Sequence, residues 1–81
     1  MRHEIRVPAV GDAVEGEVAE WYHSSADIVQ EGEPLVAVDI DKVVIDVPSP
    51  AAGMLTVSSA VGTRVVLGDL LGWVSDDGRE P

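Results

Sequence analysis

The sequence has no cysteine, few basic residues and no long apolar run. Without cysteine, neither disulfide bonds nor thiolate metal sites can support the fold, so buried aliphatic side chains have to stabilise it, and a reducing compartment is expected. No stretch approaches the roughly 18 consecutive apolar residues of a membrane span. Residues 1–4 lack the basic and then apolar order that begins a signal peptide. We therefore expect a soluble intracellular protein that has no membrane partner.

Basic charge is scarce. The chain has 5 basic and 15 acidic residues, which gives a net charge of −10 over 81 residues. Such a surface repels nucleic acid phosphates and anionic lipids, so neither is an expected partner. Docking onto a basic protein surface and simple solubility of a small protein both agree with this charge. A chain of this length has room for one hydrophobic core, and we expect a single domain.

The composition favours β-strands. The chain has 15 Val, 4 Ile and 2 Thr, which are stiff at χ1 and suit a pleated sheet, and Gly and Pro recur between short apolar segments. In residues 17–31 the apolar spacing would also permit a helix, but Ser24–Asp27 favours a turn. The sequence therefore predicts an all-β domain with a strand through Trp21, a turn at Ser24–Asp27 and a new strand after it.

A short internal repeat points to two similar halves. Shifted by 36 positions, residues 27–38 match residues 63–74 at four positions, namely Val29, Gly32, Leu35 and Val38. Chance similarity between Val-rich strands would also explain so short a match.

The segment 35–47, LVAVDIDKVVIDV, predicts a hairpin whose two-residue loop is Asp41 and Lys42. In this register the β-branched residues share one face as three cross-strand pairs: Ile40 with Val43, Val38 with Ile45, and Val36 with Val47. The opposite face is expected to be partly solvated, and it carries Leu35, Ala37, Asp39, Val44 and Asp46. Because the loop lacks the Asn-Gly or Asp-Gly of a favoured primed turn, a type I or slightly wider turn is predicted.

Lys42, at the tip of this hairpin, is the only lysine in the chain. A turn prefers a polar residue and a sheet edge prefers a charge, which would explain the lysine without any function. A lysine amine can also attack an activated acyl group, and a modifying enzyme reaches it more easily at a protruding tip. Lys42 is therefore a candidate for covalent modification.

With these residues the chain resembles the lipoyl domains of dihydrolipoyl acyltransferases, the E2 components of 2-oxo acid dehydrogenase complexes. The matching segments run through nearly the whole chain: residues 7–18 (VPAVGDAVEGEV), Trp21, Asp41 to Val43 (DKV), residues 47–53 (VPSPAAG) and residues 61–74 (VGTRVVLGDLLGWV). The resemblance implies a flattened barrel, or barrel-sandwich hybrid, of two four-stranded antiparallel sheets with approximate two-fold symmetry. It places Lys42 at one end of the domain and both chain termini at the other.

The resemblance also implies a function as a lipoyl carrier. A lipoate ligase or lipoyltransferase would attach lipoate to Lys42, with Asp41 and Val43 as the flanking recognition motif. The arm would carry acyl groups and electrons between a thiamine diphosphate-dependent E1, the E2 catalytic core and the flavoprotein E3. The domain itself would be no enzyme but part of an acyltransferase. The segment DKVVIDVPSP resembles lipoyl domains of 2-oxoglutarate dehydrogenase complexes more than those of pyruvate dehydrogenase complexes.

Further expectations concern the chain's boundaries and setting. Residues 1–75 would form the domain, monomeric when isolated, and residues 76–81 the start of a flexible linker. The compartment would be the cytoplasm in a bacterium or the mitochondrial matrix in a eukaryote. Three departures from the usual lipoyl pattern stand out. The first loop, GDAVEG, looks one residue shorter than usual, and in this family that loop contributes to recognition by E1. Ala26 stands where the turn usually has glycine, and Ile40 stands in place of Thr or Ser before Asp41.

Rival functions are weaker. Biotinyl domains share the fold but bracket their lysine with methionines, where this chain has Asp41 and Val43. The glycine-cleavage H protein is longer and has additional helices, and an unmodified barrel-sandwich module for protein contacts would not need a unique lysine at the tip. Other candidate groups point to no site. The acids Asp39, Asp41 and Asp46 do not follow an EF-hand spacing, and His3 and His23 have no Cys, Ser or metal-spaced partner. Trp21 and Trp73 lie in predicted strands, where packing is expected rather than ligand stacking.

Overall fold

The computed structural model of the protein describes residues 1–76; residues 77–81, which include most of the predicted linker, lie outside the described residues. Residues 1–76 form no helix, and therefore none long and apolar enough to cross a membrane. They form eight β-strands: β1 Arg2–Arg6, β2 Glu15–Trp21, β3 Ile28–Val29, β4 Pro34–Ile40, β5 Val43–Pro48, β6 Gly53–Val57, β7 Arg64–Val66 and β8 Leu70–Ser75.

The strands form two four-stranded sheets in which every pairing is antiparallel. One sheet has the strand order β1-β8-β6-β3 and the other β5-β4-β2-β7, so the two stay separate and do not close into a single barrel. Both contribute aliphatic side chains to one core between them, with Val18, Leu35, Leu55, Leu71 and Val74 fully buried. The expected all-β architecture of two four-stranded antiparallel sheets is confirmed.

The approximate two-fold symmetry is confirmed by matching hydrogen bonds in the two halves. The Ala26 amide donates to the Leu55 carbonyl at 2.7 Å, and 36 residues later the Gly62 amide donates to the Val18 carbonyl at 2.8 Å. The symmetry relates β4 to β8 and β5 to β1, so the hairpin tip corresponds to the place where Met1 and Asp76 meet. There the Asp76 amide donates to the Met1 carbonyl at 3.0 Å.

The predicted hairpin register is confirmed: Ile40 pairs with Val43, Val38 with Ile45, and Val36 with Val47. The predicted faces were partly wrong. Leu35 and Ala37, assigned to the solvated face, are 0% and 2% exposed, whereas Val43, assigned to the buried face, is 48% exposed. Leu35 turns inward at a β-bulge between Pro34 and Val36. Val43 is exposed because it lies beyond the end of the core, directly after the hairpin turn.

The turn from Ser24 to Asp27 forms as predicted, with the Asp27 amide donating to the Ser24 carbonyl at 3.0 Å. Its third residue, Ala26, has φ 79°, a conformation that costs a side-chain-bearing residue about 1–2 kcal/mol. The symmetry-related position is Gly62, with φ 91° and open space where a Cβ would lie. The departure from glycine at Ala26 therefore leaves the turn in place but strained.

We expect Ala26→Gly to stabilise the domain by about 1 kcal/mol, because relief of the strain exceeds the added entropy of the unfolded chain. Gly62→Ala is the matched opposite change and should destabilise the domain by a similar amount. Urea unfolding followed by tryptophan fluorescence measures both. Two effects of the same sign would show that the positive φ does not control stability at these turns.

Candidate functional site

The hairpin tip is a tight two-residue turn between β4 and β5. Asp41 and Lys42 have φ 50° and 69°, the signature of a type I′ turn, so the predicted type I turn is wrong. The primed turn matches the right-handed twist of the paired strands, and the ladder continues to the Ile40–Val43 pair at its base. Neither central residue is glycine, so each keeps a left-handed conformation that costs about 1–2 kcal/mol and that the surrounding ladder has to stabilise.

The tip protrudes beyond the core while its base is anchored in it. Ile40 is 2% exposed and packs in the core, whereas Lys42 and the two following valines, Val43 and Val44, are exposed. Among residues 1–76, no ion pair within 4.0 Å involves the Lys42 amine. The amine is thus presented to solvent on a tight turn.

An open cleft of about 570 Å³ lies beside the tip, between the first loop and the sheet β5-β4-β2-β7. Five carboxylates and one guanidinium line it: Asp12, Glu15, Glu17, Asp39, Asp41 and Arg64. Arg64 donates to Glu15 at 2.8 Å, so four carboxylates keep an uncompensated charge. A surface of this sign attracts basic groups of a partner protein.

The first loop forms the other wall of this cleft. Val10 and Ala13 make an isolated β-bridge around Gly11, and the Leu67 amide donates to the Val14 carbonyl at 2.9 Å. The loop is therefore held against the β7–β8 turn by this bond. The short GDAVEG loop is ordered by these backbone contacts.

The remaining candidate residues have structural partners. The Trp21 indole packs against the core and donates to the Ser59 carbonyl at 2.7 Å, and the Arg2 guanidinium lies 3.7 Å from the centre of the Trp73 ring, so the predicted packing of Trp21 is confirmed. His23 contacts Glu33 at 3.0 Å. Within the described part of the chain, no group of three His, Asp or Glu side chains is placed to hold a metal ion.

At the far boundary of the domain, His3 and Asp76 form a hydrogen bond of 2.7 Å between Nε2 and Oδ2. This bond, with one from the N-terminal amine, lowers the pKa of the Asp76 carboxyl below its usual value. Asp76, assigned to the start of the linker, is thus held against the first strand, and the rest of that segment lies outside the described residues.

Tyr22 was not singled out by the sequence, yet it joins two strands of the sheet that carries Lys42. Its hydroxyl donates to the Asp46 carboxylate at 2.7 Å, and its side chain has to cross β4 to get there. Ala37 is the β4 residue paired with Asp46, and this crossing accounts for its burial on the outer face. A cross-strand contact made over an intervening strand has no local sequence signal.

The hydrogen bond to Asp46 raises the pKa of the Tyr22 hydroxyl above its ordinary value of 10.0. Because the folded-state pKa is the higher one, this contact stabilises the fold below pH 10 and is lost as the pH rises through the folded pKa. Tyr22 is the only tyrosine in the chain, so ultraviolet titration of the phenolate observes it alone. We expect Asp46→Asn to lower the Tyr22 pKa; an unchanged midpoint would contradict this contact.

Comparison with known proteins agrees with this geometry. The family model described as "Biotin-requiring enzyme", of the biotin and lipoyl attachment domains, matches residues 3–74. The chain belongs to the biotin/lipoyl attachment family. The match covers both sheets and the lysine hairpin, so the family assignment applies to the whole fold described above.

Curated relatives of this biotin/lipoyl domain include three E2 components. A dihydrolipoyllysine-residue succinyltransferase of the 2-oxoglutarate dehydrogenase complex from Bartonella vinsonii is 42% identical over 76 residues, or 91% of this chain and 18% of the relative. Acetyltransferase components of the pyruvate dehydrogenase complex from Staphylococcus aureus and Staphylococcus epidermidis are each 36% identical, over 88% of this chain and 17% of the relative. The chain thus spans less than a fifth of the length of these relatives.

Proposed function

We propose that this domain is a lipoyl carrier in which Lys42 is amide-linked to lipoate. The observation that carries the proposal is the position of the only lysine, exposed at the tip of a tight type I′ turn in a biotin/lipoyl fold. The relatives support lipoate over biotin, since those named above are dihydrolipoyllysine-residue acyltransferases. Asp41 and Val43, which flank the lysine, form the motif that the attaching lipoate ligase or lipoyltransferase reads.

The residues at the tip fit the attachment of such a group. Lys42 lies in the turn itself, and its neighbours Asp41 and Val43 are exposed, so no side chain covers the amine. A bound lipoyl group supplies a dithiolane that accepts electrons and acyl groups. The Lys42 side chain supplies the tether: a covalently attached arm turns encounters between distant active sites into intramolecular ones, at an effective concentration set by the length of the connection.

The partners that follow from this function are a thiamine diphosphate-dependent E1, the E2 catalytic core and a flavoprotein E3, within an assembly whose acyltransferase includes this domain. The acidic cleft beside the tip supports contact with a basic surface around an active-site entrance, since opposite charges steer encounter and fix orientation. Amidation of Lys42 removes a positive charge from the turn beside that cleft, so the loaded domain presents a more strongly acidic tip.

The attachment is tested by incubating the 81-residue chain with lipoate, ATP and a lipoate ligase, and in parallel with biotin, ATP and a biotin ligase, followed by intact-mass spectrometry. We expect one lipoyl group on the wild type, no biotin, and neither group on Lys42→Arg. Folded wild type that accepts biotin would identify a biotinyl carrier, and wild type that accepts neither group would leave the fold as a protein-interaction module.

We further propose that the complex is of the 2-oxoglutarate type. The DKVVIDVPSP segment and the 42% identity to a succinyltransferase component support this assignment. The lipoylated domain should be acylated faster by a 2-oxoglutarate-specific E1 than by a pyruvate-specific E1 when both are supplied with their own oxo acid. The opposite order of rates would assign the domain to a pyruvate complex.

A further inference from the structure

Strand β2 crosses close to the base of the lysine hairpin at Gly16. A Cβ atom added to Gly16 would lie 2.5 Å from the carbonyl oxygen of Asp39 and 2.8 Å from Cγ1 of Ile40, both closer than real side chains approach. The nearest of these atoms belongs to the backbone of β4, so it cannot rotate away as a flexible side chain could. A side chain at position 16 would therefore have to displace the end of β4 or separate β2 from it.

The end of β4 is also what fixes the lysine turn. Ile40 is 2% exposed and immediately precedes Asp41 and Lys42, whose left-handed conformations depend on the ladder at their base. A displacement of Ile40 is transmitted directly to the turn, because no flexible residue lies between them. The depth at which Ile40 sits in the core thus determines where the Lys42 amine is presented.

We propose that Gly16 is a positioning residue for the modification of Lys42: its missing side chain lets the hairpin tip sit at the depth at which an attaching enzyme can use the amine. This inference rests on the proposed lipoyl attachment and concerns a residue that touches neither lysine nor cofactor. Gly16 acts through Asp39 and Ile40, and its contribution is the geometry of the tip.

The two-fold symmetry of the domain provides a matched control. Gly53 in β6 occupies the corresponding position. A Cβ atom added to Gly53 would collide with the carbonyl oxygen of Ser75, just as a Cβ atom added to Gly16 would collide with the carbonyl oxygen of Asp39. Ser75 pairs with Arg2 and precedes Asp76, which bonds to Met1, so it does not lie at the lysine hairpin. The two glycines differ in which end of the domain a substitution disturbs. They also differ in backbone conformation, since Gly53 has φ 156°, so Gly53→Ala should destabilise the domain at least as much as Gly16→Ala.

The test compares Gly16→Ala and Gly53→Ala as substrates of a lipoate ligase. Initial rates are measured over a range of domain concentrations and corrected for the folded fraction, taken from tryptophan fluorescence. A shift of about 1 Å at a reacting group can cost on the order of 100-fold, so we expect Gly16→Ala to lower kcat by about 10-fold or more. KM should change less than kcat, and Gly53→Ala should stay within about 2-fold of the wild-type kcat.

Equal losses of kcat in the two folded variants would overturn the inference, because they would show a general effect of destabilisation. If the wild type itself accepted no lipoate, the proposed function would fail and the inference with it. Equal losses in variants of a wild type that does accept lipoate overturn the inference alone. Where Gly16→Ala does not fold, Ile40→Val takes its place, with Ile5→Val, at an equally buried position of β1, as its control. A several-fold lower kcat for Ile40→Val alone supports the positioning role, and equal rates for the two variants overturn it.

Discussion

Exchanging the two residues of the hairpin turn, by Asp41→Lys combined with Lys42→Asp, should lower the rate of lipoylation by about 100-fold. The composition and net charge of the domain stay the same, and the lysine remains in the same exposed turn. Consecutive residues at the end of a strand point in different directions, so the amine moves away from the position that Lys42 occupies. The prediction separates a requirement for Lys42 itself from a requirement for any lysine at the tip.

The measurement is the initial rate of lipoate incorporation, followed by intact mass, on protein whose β-sheet circular dichroism matches that of the wild type. Lys42→Arg serves as the baseline and should remain unmodified at any amount of ligase, because the guanidinium is not acylated. A rate for the exchanged variant within about 3-fold of the wild-type rate would mean that the ligase requires only an exposed lysine at the tip and not a lysine at position 42.

Removing a central side chain of the core should have the largest effect on folding. Leu55 in β6 is fully buried, pairs with Val74 across the sheet, and its amide donates to the Asp27 carbonyl at 2.9 Å. Leu55→Ala should cost about 2–5 kcal/mol, since the rigid sheets around it can close the resulting cavity only in part. A domain of this size has a total stability near the lower end of about 5–15 kcal/mol.

We therefore expect the midpoint of thermal unfolding to fall by at least about 10 °C for Leu55→Ala. Ile28→Ala in the neighbouring strand β3 is the control, because Ile28 is 67% exposed and should change stability by less than about 0.5 kcal/mol. Similar shifts for the two variants in calorimetry would contradict the placement of Leu55 in the core.

Much of the fold could be predicted from local patterns. The cross-strand pairing of residues 36–47 follows from the alternation of β-branched residues, because a slip by one residue would exchange the two faces of the hairpin. The internal repeat of 36 residues pointed to two similar halves, in agreement with the approximate two-fold symmetry of the sheets. The loop at Asp41 and Lys42 followed from the same alternation, and this placed the candidate lysine at the tip.

Features that depend on distant parts of the chain could not be predicted in this way. The type I′ turn at Asp41 and Lys42 contains no glycine from which it could have been predicted, because the twist of the two strands that it joins selects the turn type. The burial of Ala37 depends on Tyr22, which reaches over from another strand. Gly16 also gave no local signal of its close approach to Asp39, since only the packing of β2 on β4 reveals it.

Tandem mass spectrometry of the peptide that contains Lys42, taken from the full-length protein purified from its own cells, tests the account most directly. We predict a lipoyl group in amide linkage to the Lys42 side chain. An unmodified Lys42 throughout the purified protein, or a biotinyl group in that position, would contradict the account.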